Sequence, residues 1–397
     1  MRYFRLYHSN MKRISSIDFT RGVVMVIMAL DHVRDMIHFS PGSQAATNLA
    51  VTTPPLFFTR WITHLCAPTF VFLSGTSAYL SFKKSGDINT TRKFLLSRGL
   101  WLIVVEFTVV NFGLWFDFHF RTLIMEVICA IGFGLIVLSF LLKLSPKTIL
   151  ITGLFIIFGH NLLQGVLFPD RPVLNFFDSI LFNRNFFQVG PDFIFIVGYP
   201  LIPWLGITLV GYGCGQLFEL PSEKRKKIFV QIGVAALIFF VVLRFANFYG
   251  DPSKWSTQKN AVFTFLSFNN LTKYPPSLLF DLCMLGIMFL ILAFGEVVSN
   301  KFARFFIVYG NVPLFYFVIH MYLVHLIMFV VLFAQGFATK DFQFGIGQFG
   351  RPQGRSGVGL VTIYLIWIGV VLILYPVCKW YGNYKVAHRE KKWLRYL

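Results

Sequence analysis

Ten apolar runs punctuate this 397-residue chain, each close to the roughly 20 residues that a bilayer-crossing helix needs. They fall at about 20–39, 60–82, 97–117, 122–142, 148–168, 193–217, 228–248, 278–297, 304–334 and 358–380. The pattern predicts an all-α, polytopic membrane bundle of about ten transmembrane helices. It forms a single domain over 1–397, with a basic segment at 1–19, a membrane domain at 20–380 and a basic tail at 381–397. The second run carries Pro68, which is expected to kink it. The ninth is long and is expected to break near Gly310–Pro313, where Asn311 and Pro313 interrupt it.

Composition agrees with that reading. The chain is 56% hydrophobic and only 13% charged, whereas a soluble domain carries about 25% charged residues. The net charge of +19 would suggest nucleic acid in a soluble protein. Here Lys and Arg gather in short connections, and no nucleic-acid motif accompanies them, so that class is excluded. The amino terminus, the even-numbered connections and the tail hold 23 of the 36 Lys and Arg residues. By the positive-inside rule both termini are expected to be cytoplasmic. The long connections at 40–59, 169–192, 249–277 and 335–357 then face outward. No apolar h-region and cleavage site follow the basic amino terminus, so no cleaved signal peptide is expected. Cys66, Cys129, Cys214, Cys283 and Cys378 are isolated in apolar runs and indicate neither a zinc site nor a disulfide frame. No HExxH or other metal spacing occurs, so no metal is predicted.

The first run, RGVVMVIMALDHVRDMIH, breaks the apolar rule. Asp31, His32, Arg34, Asp35 and His38 crowd its second half. One such side chain at mid-membrane costs about 2.5–3.5 kcal/mol on insertion scales, so a group of them points to a protein interior, a wet cavity or a reaction. At 100° per residue, Arg21 and His32 fall within roughly 20° of each other, about 16 Å apart along the axis. Asp18 and Asp35 share that stripe, and Asp31–Arg34 has ion-pair spacing. His32, with an ordinary pKa suited to proton transfer near neutrality, is a candidate general base, and Asp31 or Asp35 is expected to orient it. In the second run Arg60 and His64 share a helical face, and Gly75, Thr76 and Ser77 offer a small surface expected to serve helix packing. Glu106, Glu126 and Asp281 sit inside apolar runs and should be paired. Asn311, His320 and His325 follow or flank the break in the ninth run.

Five stretches together resemble the catalytic membrane domain of heparan-α-glucosaminide N-acetyltransferase and its bacterial relatives, part of a wider set of transmembrane acyltransferases. They are SIDFTRGVVMVIMALDH, THLCAPTFVFLSGTS, YPLIPWLGITLVGYGCG, KYPPSLLF and GNVPLFYFVIH. The wider set places a His after an Arg and ten further residues in the first span, and Arg21 and His32 reproduce that spacing. The lysosomal enzyme has Asn where His32 stands, with a His further on whose role would fall to His38. It has Asp where His64 stands, and its amino-terminal lysosomal domain is not expected in this protein.

The resemblance implies transfer of an acetyl group from cytosolic acetyl-CoA to a sugar amine or hydroxyl across a bacterial inner membrane. It implies acetyl-CoA at the basic face, near Lys12, Arg13, Arg21, Arg92 or Lys93. The catalytic candidates are then His32, Asp31, Asp35, His38 and His64. The acceptor, a carbohydrate, is expected to pass Arg60 and meet Asn311 and His320. A homodimer stays open. The competing reading is a proton-coupled small-molecule transporter, since buried His/Asp networks and broken helices also mark carriers. A third is a structural or lipid-binding membrane protein.

Overall fold

The first apolar run forms one unbroken helix, α1 (Ser15–Ile37), and several of the other helices pack against it. The architecture comes from a computed structural model that describes residues 14–39, 46–163, 171–298 and 300–396. In chain order there follow α2 (Pro54–Thr63), α3 (Cys66–Ser85), α4 (Ile88–Val105), α5 (Asn111–Trp115), α6 (Val127–Leu141), α7 (Pro146–Gly159) and α8 (Pro172–Leu181). The second half holds α9 (Leu201–Cys214), α10 (Ser222–Ala246), α11 (Ala261–Asn269), α12 (Leu278–Gly295), α13 (Lys301–Gly310), α14 (Pro313–Ala334) and α15 (Leu360–Ala387). Among the described residues, seven helical stretches are long and apolar enough to cross a membrane. The protein is therefore an all-α polytopic membrane protein. Of the other predicted runs, the one forming α1 is long enough but too charged to count among the seven, and α6 and α7 are short.

Two predicted spans begin differently from expectation. Residues 122–125 and 194–197, read as the starts of helices, are strands β1 (Thr122–Met125) and β3 (Ile194–Val197). They pair in parallel from Thr122↔Ile194 to Met125↔Val197, with β2 (Asn185–Gln188) antiparallel on the far side of β3. Short β-branched and aromatic runs such as IFIV cannot be told from helix by hydropathy alone. Here Gly198 and Pro200 also separate β3 from α9.

The breaks in the second and ninth runs have local causes. Pro68 lacks the N–H that would bond to the His64 carbonyl, and its ring crowds that carbonyl. The helix is accordingly interrupted at His64–Leu65, one turn before the proline rather than at it. In the ninth run α13 stops at Gly310, and Pro313 opens α14 at a position where a missing N–H costs nothing.

Glycines bring α1 onto α13. A Cβ on Gly310 would lie 1.8 Å from the Asp18 carbonyl oxygen, and one on Gly22 would lie 1.9 Å from that of Phe306. Only glycine permits this backbone contact. Gly75 does the same for α3, its missing Cβ replaced at 2.0 Å by the Thr208 carbonyl of α9, and Thr76 donates to Gly211 O at 2.9 Å. Packing is thus the use made of Gly75 and Thr76. Ser77 has a different partner, described below.

On the other end, the 249–277 connection is organised by buried Arg244. Its guanidinium donates to the carbonyls of Phe268 (2.8 Å), Ser253 (2.8 Å), Ser267 (3.0 Å) and Asn270 (3.2 Å). Asp251 accepts from Thr272 N at 2.9 Å and from Ser277 Oγ at 2.6 Å. These bonds set Lys273 and Tyr274 beside α2. The last turn of α1 is tied to the 335–357 connection, where Arg351 donates to His38 O at 2.7 Å.

Candidate active site

The charges in the second half of α1 resolve into two adjoining groups. The first is an ion network centred on Asp31. Its Oδ1 accepts from Arg34 Nη2 at 2.8 Å and from Thr63 Oγ1 at 2.7 Å, and its Oδ2 accepts from Arg60 Nη1. Arg34 also reaches Asp35 at 2.5 Å, and Arg60 donates to the Tyr274 hydroxyl at 3.4 Å. Arg34, Arg60 and Asp31 are all buried. Two guanidinium groups sharing one carboxylate satisfy the rule that intramembrane charges pair with each other. This network joins α1 to α2 and to the loop bearing Tyr274.

The second group is a histidine pair. His32 Nδ1 lies 2.6 Å from His320 Nε2 on α14, and His320 Nδ1 lies 2.9 Å from the Tyr316 carbonyl. His32 keeps part of its surface exposed, whereas His320 is fully buried. Phe317 stands edge-on to both rings, 6.2 Å from His32 and 5.8 Å from His320. The carboxylates expected to orient His32 are engaged elsewhere, Asp31 with Arg34, Arg60 and Thr63, and Asp35 with Arg34. The remaining candidate histidines are apart from this pair. His38 is buried at the end of α1, about 9 Å along the axis from His32. His64 is buried at the break between α2 and α3, with its ring 5.6 Å from Phe280.

Arg21 occupies the opposite half of α1. It meets Asp18 at 3.5 Å, Ser77 Oγ at 3.1 Å and the Gly310 carbonyl at 3.4 Å. That carbonyl belongs to the last residue of α13, so the helix break supplies Arg21 with an acceptor. Arg21 also lines a cavity of about 670 Å³ between α1, α3, α4, α6, α13, α14 and α15. Arg98, Lys379, Lys385 and Arg389 line it too, and no carboxylate does so among the described residues. Ser74, Ser77, Ser81 and Asn311 add polar groups, while Met25, Leu102, Ile131 and Phe317 make the walls apolar further in. Phe317 therefore lies between the basic cavity and the histidine pair.

Of the expected donor-binding residues, Arg21 lines this cavity. Arg92 does not, and donates instead to Ser139 O at 3.1 Å. Lys93 is exposed outside it, and Arg13 lies outside the described residues. Arg98, Lys379, Lys385 and Arg389 were legible only as members of basic connections. A sharper signal existed: Lys379, Gly382, Asn383 and Val386 follow a helical three-and-four spacing and all line the cavity. Glu106, expected to pair, accepts the Cys129 N–H at 2.9 Å from within a π-turn at Glu106–Val110. Asp281 is buried, with neither carboxyl oxygen hydrogen-bonded. Among the described residues, no group of three or more His, Cys, Asp or Glu side chains is placed to hold a metal ion.

Residues 13–247 match the family model described as heparan-alpha-glucosaminide N-acetyltransferase, catalytic. The chain belongs to that family. No curated protein matches it. The heparan-alpha-glucosaminide N-acetyltransferase family is one of membrane acetyltransferases, and the matched stretch contains Arg21, the whole Asp31 network except Tyr274, and His32. His320, Asn311 and three of the basic cavity residues, Lys379, Lys385 and Arg389, lie beyond it. The match thus covers α1 through α10 and leaves out the helices that complete both the cavity and the histidine pair.

Proposed function

We propose that this protein moves an acetyl group from acetyl-CoA, held at its basic end, to a sugar amine or hydroxyl presented from the other side of the membrane. The observation that carries the reading is that Arg21, Arg98, Lys379, Lys385 and Arg389 line one cavity. Guanidinium and ammonium donors are suited to the phosphate groups of CoA. The Asn311 amide would hydrogen-bond to polar parts of the donor, and the apolar inner wall leads to Phe317 beside His32. The axial separation of Arg21 and His32, about 16 Å, spans half of a 30 Å hydrocarbon core. Phosphates at the first residue and a thioester near the second fit that spacing.

In the proposed reaction His32 takes the proton from the acceptor as its nitrogen or oxygen attacks the thioester carbonyl carbon. The new C–N or C–O bond forms, the C–S bond breaks, and the departing thiolate takes up the proton that His32 carried. Arg60, Tyr274 and Lys273 border the side from which the sugar arrives. Cytoplasmic termini and a bacterial plasma membrane complete the reading, supported by the grouping of Lys and Arg on alternate connections.

The test uses purified protein in detergent. Acetyl-CoA should raise its melting temperature, and labelled acetyl groups should pass to membrane glycans. His32→Ala should abolish transfer while keeping the stabilisation by acetyl-CoA. Absence of any stabilisation by acetyl-CoA, or full turnover in His32→Ala, would overturn the proposal.

A further inference from the structure

The contact between His32 and His320 contains more information than proximity. Their rings are 13° from coplanar with centroids 4.8 Å apart, and the Nδ1–Nε2 separation is 2.6 Å. Rings that close in nitrogen separation yet so far apart in centroid meet edge to edge. The arrangement is therefore an in-plane N–H···N hydrogen bond, not a face-to-face stack.

The direction of that bond follows from what lies behind it. His320 Nδ1 faces the Tyr316 carbonyl at 2.9 Å, and a carbonyl oxygen can only accept. His320 Nδ1 therefore carries a proton. In a neutral imidazole the other nitrogen is then an acceptor, so His320 Nε2 accepts. His32 Nδ1 must donate to it, and the lone pair of neutral His32 is left on Nε2. Among the described residues, no protein group bonds to that Nε2. Nor can a carboxylate do the same work. Asp31 is occupied by Arg34, Arg60 and Thr63, and Asp35 by Arg34. The charged groups that act on His32 are Asp31, Asp35, Lys273 and Arg60.

We propose that His320 is a positioning residue that holds neutral His32 in its Nδ1–H tautomer and leaves the Nε2 lone pair as the base. Isolated histidine side chains favour Nε2–H, so without His320 the basic nitrogen would be the wrong one. The Tyr316 carbonyl supplies the fixed end of the chain, and Phe317 and Tyr316 pack beside the His320 ring. The role parallels a carboxylate that orients a catalytic imidazole, with a second imidazole in its place. It rests on the transferase reading for its kinetic consequence but not for the tautomer itself.

The experiment is nitrogen NMR of ¹⁵N-histidine-labelled protein in detergent, with the His32 signals assigned by their loss in His32→Ala. Wild type should show His32 protonated at Nδ1 and unprotonated at Nε2. His320→Ala should shift it to the Nε2–H form and lower kcat by about 10²-fold or more, with KM for acetyl-CoA little changed. His320→Gln, whose amide oxygen can accept from Nδ1–H, should recover at least about tenfold of that loss. His32 found as Nε2–H in wild type would overturn the inference. So would an unchanged tautomer in a folded His320→Ala protein, or equal rates for the Ala and Gln variants. A wild-type protein without acetyl transfer would instead overturn the proposed function, and the tautomer would still decide the inference.

Discussion

Removing the Asp31 carboxylate tests whether the charges in α1 form an obligatory network. Asp31, Arg34 and Arg60 are 8%, 1% and 2% exposed, so screening by solvent is slight. In Asp31→Ala, Arg34 keeps Asp35, but among the described residues Arg60 is left with only the Tyr274 hydroxyl at 3.4 Å. Breaking a buried ion pair from one side costs about 3–5 kcal/mol, because an unpaired charge stays inside. In Arg60→Ala the carboxylate keeps Arg34 and Thr63, so the cost should be that of one charged hydrogen bond, about 1.5–3 kcal/mol. The double variant removes both ends of the pair and should cost less than the sum, with a coupling of at least about 1.5 kcal/mol. Reversible denaturant unfolding in mixed micelles, followed by circular dichroism, would read all three. A cost below about 1 kcal/mol for Asp31→Ala, or strict additivity in the double variant, would refute the reasoning.

Three further expectations follow from the same geometry. Gly310→Ala puts a methyl group 1.8 Å from the Asp18 carbonyl oxygen, so α1 and α13 must separate at a cost of about 1–3 kcal/mol or more; thermal melts should show the loss, together with weaker stabilisation by acetyl-CoA as Arg21 leaves its acceptor. Charge reversal at Lys379 or Arg389 should weaken acetyl-CoA binding by about 3- to 30-fold at low salt, while Arg92→Ala and Lys93→Ala leave it within about twofold; calorimetric titration separates the two sets. Arg244→Ala strips four carbonyls of their donor and should loosen residues 249–277, seen as faster proteolysis within that connection and a raised KM for the acceptor with acetyl-CoA binding intact.

Much of the fold and part of the candidate site are legible in the amino-acid sequence. Apolar length and the position of Pro and Gly are local properties, so helical spans, the Gly310–Pro313 break and an interruption near Pro68 could be read directly. The charge-rich half of α1 was equally visible, because five ionisable residues in an apolar run violate a rule that depends only on burial in lipid. Helical phase put Arg21 and His32 on one stripe without any tertiary contact. Two starts of spans were misread, at residues 122–125 and 194–197, because short apolar strands and helices share the same hydropathy.

What only the tertiary structure decided is which groups face each other across helices. Sequence spacing pairs Asp31 with Arg34, but nothing in it says that Arg60 and Thr63 from α2 take the rest of that carboxylate. With Asp31 and Asp35 so committed, the partner of His32 had to come from α14, 288 positions away. Nor does spacing bring Lys379 and Arg389 beside Arg21, at opposite ends of the chain. A hydrophobic pattern specifies that a face is buried through the free energy of burying it, which is non-directional. Hydrogen bonds and ion pairs are directional and short-ranged, so their partners are chosen only when glycine contacts such as Gly310 on Asp18 fix how the helices lie against one another.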